Sequence, residues 1–150
     1  MRHALAGLLL APLLGSVLVS CGGDDDPFAA YCDEVEAQQE PLTEALATEG
    51  PTALIEALPS FEKLSEEAPD DIADDWSVLI GAIEGLVDAL RDADVDPATY
   101  DRERPPEGVT DEEQAAIDAA ARQLTAPETA AALEGVQQQA RDVCKTPLSL

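Results

Sequence analysis

Imidazole and basic groups are nearly missing from this chain. A single histidine, His3, and eight Lys plus Arg stand against 32 Asp plus Glu, a formal charge of −24 over 150 residues. With His3 the only imidazole, the usual general base, the Ser-His and Cys-His nucleophile systems and the commonest transition-metal ligand have almost nothing to be built from. A domain this acidic is repelled by nucleic acid phosphates and by anionic lipid headgroups, so no nucleic acid partner is expected. Aromatic residues are scarce as well: Phe28, Tyr31, Phe61, Trp76 and Tyr100 are the whole supply. Any core must therefore rest mainly on Leu, Ile, Val and Ala. Two carboxylates alone can hydrolyse a glycoside, but that chemistry needs a sugar-binding cleft. With so few aromatics, most of them on buried stripes, no catalytic residue is assigned and no enzyme is expected. Acidity with few aromatics also suits disorder, and it is helical periodicity that argues against it.

The first twenty residues differ from the rest. Arg2 and His3 precede a run rich in Leu, Ala and Val from Ala4 to Val19, then Ser20 and Cys21. This is the order of a secretory leader, and the run is short for a membrane-spanning helix. Leu18-Val19-Ser20-Cys21 resembles the lipobox of bacterial lipoproteins. The resemblance implies cleavage between Ser20 and Cys21 and attachment of diacylglycerol to the Cys21 thiol. A diacyl group, with each buried CH₂ contributing roughly 0.8 kcal/mol, meets the two-chain requirement for stable anchoring. Removal of residues 1–20 would take Arg2 and His3, leaving seven basic residues against 32 acidic ones, a charge of −25, and no histidine. Gly22-Gly23-Asp24-Asp25-Asp26 then reads as a flexible, solvated tether, reaching roughly 18 Å at about 3.5 Å per residue.

If Cys21 carries lipid, Cys32 and Cys144 are the remaining cysteines. Each continues the apolar face of a terminal helix, and an exported chain meets an oxidising compartment. A bridge between them is expected, the alternative being two buried thiols.

From Pro27 onward the apolar spacing is helical. Phe28, Tyr31, Cys32 and Val35 form one stripe, carried on by Leu42 and Leu46 past Pro41, which should kink or break the helix near Glu40. Leu54, Leu58, Phe61 and Leu64 mark a second helix, with a kink expected at Pro59. The third is the clearest. Asp70, Asp71, Asp74 and Asp75 load its first turns with the charge the helix dipole favours, and Ile72, Trp76, Leu79, Ile80, Ile83, Val87 and Leu90 share a face. Gly81 and Gly85, four apart, would permit a close helix crossing. A proline-rich loop follows from Asp92 to Val109. Thr110-Asp111-Glu112-Glu113 is a capping box opening a fourth helix that should bury Ala116, Ile117, Ala120 and Leu124. Thr125-Ala126-Pro127-Glu128 looks like a second box, opening a fifth helix with Leu133, Val136, Ala140, Val143 and Cys144 on its face. Pro147 closes the fold. The expectation is an all-α bundle of four or five kinked helices over residues 27–146, closed by one disulfide, after the leader 1–20 and the tether 21–26.

One acidic constellation has cation-site spacing. Asp92, Asp94, Asp96 and Glu103 occupy positions 1, 3, 5 and 12 of an EF-hand-like loop, with the Ala98 carbonyl at position 7. Pro97 stands where the turn glycine belongs, and Arg104-Pro105-Pro106 blocks an exiting helix. A solvated acidic helix end is the expected state, and calcium is not an expected cofactor.

The whole pattern resembles small helical lipoproteins of high-GC Gram-positive bacteria: the lipobox Leu18–Cys21, Phe28 and Tyr31-Cys32 in the first helix, Ala68-Pro69-Asp70-Asp71-Ile72 through Trp76, and Cys144 at the end of the last. The resemblance implies a lipid-anchored domain on the extracytoplasmic face of the cell membrane, in contact with the bilayer through its acyl group alone. The leading expectation is a non-catalytic envelope accessory that meets another envelope protein. The second is a ligand-binding lipoprotein presenting a small molecule or a divalent cation. An apolar cavity between helices would favour the second, and a filled core with an exposed apolar patch the first.

Overall fold

Six α-helices, and no strand, occur among the described residues of the computed structural model, which are 26–48, 51–148 and 150. The lipobox and the sites at Ser20 and Cys21 lie outside them. The helices are α1 (Ala29–Ala37), α2 (Gln39–Ala45), α3 (Pro51–Glu66), α4 (Ala73–Asp92), α5 (Asp111–Leu124) and α6 (Pro127–Gln139). Among the described residues no helix is long and apolar enough to cross a membrane.

The extra helix arises at Pro41. A proline at this position has no N–H to offer the Ala37 carbonyl, and its ring crowds that group. The helix therefore breaks at Gln38, earlier than Glu40, and α2 starts directly after it. Gln38 is buried, and its Nε2 donates to Glu34 Oε1 at 2.6 Å. Pro59, by contrast, lies inside the unbroken helix α3 with its ring on the exposed side.

Helix α4 is the axis of the bundle, packed against α3, α5 and α6. Its start is Ala73, with Asp74 and Asp75 in the first turn, while Asp70 and Asp71 lie in the preceding turn. Trp76, Leu79, Ala82, Ile83, Leu86 and Leu90 are buried; Ile80 and Val87 sit at the margin of that face. Gly81 and Gly85 do not make the expected crossing. Both are exposed, and nothing lies within 4 Å of where a Cβ would stand. The close approach is at Gly135 on α6, where an added Cβ would collide with the Asp75 carboxylate of α4.

The Thr110 capping box forms in full. Thr110 Oγ1 accepts from the Glu113 N–H at 3.2 Å, and Glu113 Oε2 accepts from the Thr110 N–H at 2.8 Å. The Thr110 N–H, and with it the Thr110 hydroxyl, which donates to Oε2 at 2.9 Å, hold the Glu113 carboxyl below its ordinary range. The second box does not form. Thr125 is the last residue of the α5 end, and its hydroxyl donates back to the Arg122 carbonyl, leaving Ala126 as an N-cap with no side-chain acceptor. Ala116 is exposed and Ile117 is the buried residue of α5. Alanine reports a helical face poorly, because it is small enough to suit either side of a helix.

A π-helical turn, Ala140–Cys144, ends α6 and meets α1. There Cys32 and Cys144 are joined in a disulfide, with Cα atoms 5.0 Å apart. The packed residues continue past Pro147 to Leu148, which is buried.

The main core gathers Tyr31, Val35, Leu42, Phe61, Leu64, Trp76, Ile83 and Val136. Trp76 lies against Phe61 with ring centroids 5.9 Å apart. The Tyr31 hydroxyl and the Trp76 indole N–H are both buried without a hydrogen-bond partner. Burial pushes the Tyr31 phenol up to about 12; the nearby indole opposes that rise without reaching hydrogen-bond geometry, and Asp71 adds to it. The phenol thus releases its proton from the unfolded chain near 10 and from the folded one only near 12. Stability should be unaffected by this group below pH 10 and fall as the pH rises from 10 to 12, where the unfolded state sheds the proton first. Urea midpoints for the parent and for Tyr31→Phe across that window test the point. The variant should show a flatter alkaline decline and, since the lost hydroxyl is unpartnered, no loss at neutral pH.

Candidate functional site

The residues after α4 form neither helix nor cation loop. Asp94 takes a left-handed conformation, φ 52°, which turns the chain out of α4. Asp96 Oδ1 accepts from the Ala98 N–H at 2.9 Å, and Asp101 Oδ1 accepts from the Glu103 N–H at 2.9 Å. Asp96 and Asp101 therefore shape turns, short carboxylates mimicking backbone acceptors. Asp92, Asp94, Asp96 and Glu103 are all exposed. Among the described residues no group of three or more His, Cys, Asp or Glu is gathered closely enough to hold a metal ion. Pro97, in the place of the turn glycine, faces inward and is half-buried.

The loop is fastened across α5 by one residue used twice. Gln114 Nε2 donates to the Arg102 carbonyl at 3.2 Å, and the Arg102 guanidinium grips Asp118, with Nε 2.7 Å from Oδ1 and Nη2 donating to Oδ2 at 3.2 Å. Held this way, the loop roofs a cavity of about 310 Å³ between α4 and α5. Leu86 and Leu90 of α4, Ile117, Ala121 and Leu124 of α5, and Pro97 of the loop make its apolar wall.

Its polar groups are Tyr100, Arg102 and Asp118. The Tyr100 hydroxyl is shielded from water and has no partner. Asp118 Oδ1 is likewise shielded, and its charge is met by Arg102 Nε at 2.7 Å, out of hydrogen-bond alignment. Burial raises the Tyr100 phenol, and the Asp118 charge raises it further. An apolar chamber with a few convergent polar groups is the usual form of a small-molecule site, and the volume falls at the lower end of the common range.

A smaller apolar cavity, about 160 Å³, lies on the other side of Leu124 among Leu46, Leu54, Phe61, Leu79 and Leu133. Outside Pro97, an open groove beside Val87, Arg91 and Asp94 shares Leu90 and Pro97 as its wall.

Sequence reasoning placed the disulfide pair but not Tyr100, Arg102 or Asp118. Two signals were present: Tyr100 is the only aromatic residue of the proline-rich loop, and Arg102 and Arg104 are its only basic residues. Compared with protein-family models, curated proteins and solved structures, the chain finds no match.

Proposed function

We propose that this protein is a bacterial lipoprotein, held by an acylated Cys21 on the extracytoplasmic face of the cell membrane, whose non-catalytic helical domain presents a small ligand close to the bilayer. The anchor is supported by the position of Cys21 after Leu18-Val19-Ser20. The Cys32–Cys144 bridge suits an oxidising compartment and leaves Cys21 as the odd cysteine. The observation that carries the ligand role is the 310 Å³ cavity walled by Leu86, Leu90, Pro97, Ile117, Ala121 and Leu124, with the polar residues Tyr100, Arg102 and Asp118 at its edge.

The accessory reading shares the anchor and differs in needing a docking surface. Among the described residues every Leu, Ile, Val, Phe, Tyr and Trp is buried or half-buried, and none stands fully exposed to a partner. It is the cavity that favours ligand presentation.

The anchor is tested by Cys21→Ala. Acylation requires that thiol, so the variant should leave the membrane fraction while its circular dichroism and thermal midpoint match those of the parent. Intact mass of the parent should show a chain starting at Cys21 with a diacylglyceryl group. Unchanged membrane association of the variant would refute the anchor.

A further inference from the structure

We propose that the cavity beneath the 93–110 loop binds an uncharged, apolar molecule of about two fused rings in size. This rests on the ligand-presenting reading and is independent of the anchor.

Size comes from the volume. A cavity of about 150 Å³ lined by aliphatic and aromatic side chains binds benzene, and this one is about 310 Å³. A body about twice as large fits, provided it is compact, since Ile117 and Ala121 on α5 face Leu86 and Leu90 on α4 across the space.

Neutrality comes from the charges already there. Arg102 and Asp118 are the ionised residues of the lining, and they are paired at 2.7 Å, so the site has no net charge to offer an ion. An ion entering it would lose its hydration against six aliphatic side chains with no counter-charge free, a large cost. The overall charge of −24 further disfavours an anion.

The test uses three naphthalene probes with the full chain carrying Cys21→Ala, so that no acyl group competes. Binding is followed by heteronuclear NMR, which also shows where each probe sits. Naphthalene should bind saturably and shift the Ile117, Ala121 and Leu86 methyl signals. 1-Naphthoate and 1-naphthylmethylammonium should bind about tenfold more weakly, or not at all. Ala121→Phe, which fills the chamber, should abolish binding of all three, and if it fails to fold the order of the probes on the parent domain decides. Preferential binding of either charged probe would overturn the ligand class while leaving the ligand-presenting reading standing. Shifts by naphthalene that do not map to the cavity, or no saturable binding by any probe, would overturn both.

Discussion

Replacing Cys32 and Cys144 together by serine should lower the unfolding free energy by about 4 to 5 kcal/mol. The bridge joins residues 112 apart, and for a closed loop of that length the lost disorder of the unfolded chain gives a contribution of about that size. For a domain of this length the midpoint should drop on the order of 10–20 °C. The consequence is large because single domains hold only about 5 to 15 kcal/mol in total. The bridge also ties α1 to the turn that ends α6, so its removal should free the first helix before the rest. Thermal melts of the parent with and without reductant, beside the double serine variant, measure the effect. Two coincident melts would show that the bridge contributes nothing. Hydrogen exchange should show the earliest loss of protection in Ala29–Ala37.

The second large effect is expected at Trp76. Its side chain has no exposed surface, belongs to the central helix α4, and lies at an angle against Phe61 of α3. Trp76→Ala should cost about 3 to 5 kcal/mol, the transfer term of the lost indole plus a void that fixed helices cannot close. Trp76→Phe should cost markedly less, because one ring remains to fill the space and the indole N–H it removes has no hydrogen bond to lose. Urea unfolding of the three proteins gives both values. Equal losses would mean that the indole's second ring and its N–H matter more than the packing of the first.

The fold was largely legible where apolar side chains are large and evenly spaced. Trp76, Leu79, Ile83 and Leu90 mark the buried face of α4 without help, and Cys32 and Cys144 fell on the inner faces of the first and last helices as their neighbours implied. What failed had causes that apolar spacing does not report. Alanine at 116 fits solvent as well as core. Thr125 matches a capping-box spacing, yet its hydroxyl is drawn to the carbonyls of the helix just ended. Gly81 and Gly85 looked like a crossing because their spacing is right, but which helix lies opposite is decided by long-range packing, and it was Gly135 that needed to be small.

The cavity was illegible for a different reason. Its polar groups meet through the pair Arg102–Asp118, sixteen residues apart, with one member in a loop and the other in a helix. No period links them. The acidic run Asp92 to Asp96, despite its cation-site spacing, spends its Asp96 carboxylate on a turn, and that turn lies where Pro97 and Tyr100 enter the lining.

The bridge has one more consequence, for damage. The 93–110 segment is long, free of helix and studded with exposed residues, the sort of place where a protease cuts first. A cut there separates α1–α4 from α5–α6 in sequence but not in substance. Any single break between residues 32 and 144 leaves both fragments in one covalent molecule, still gathered around α4. A nicked protein would keep its mass apart from one added water, show two bands only after reduction, and lose no part of itself to the surroundings.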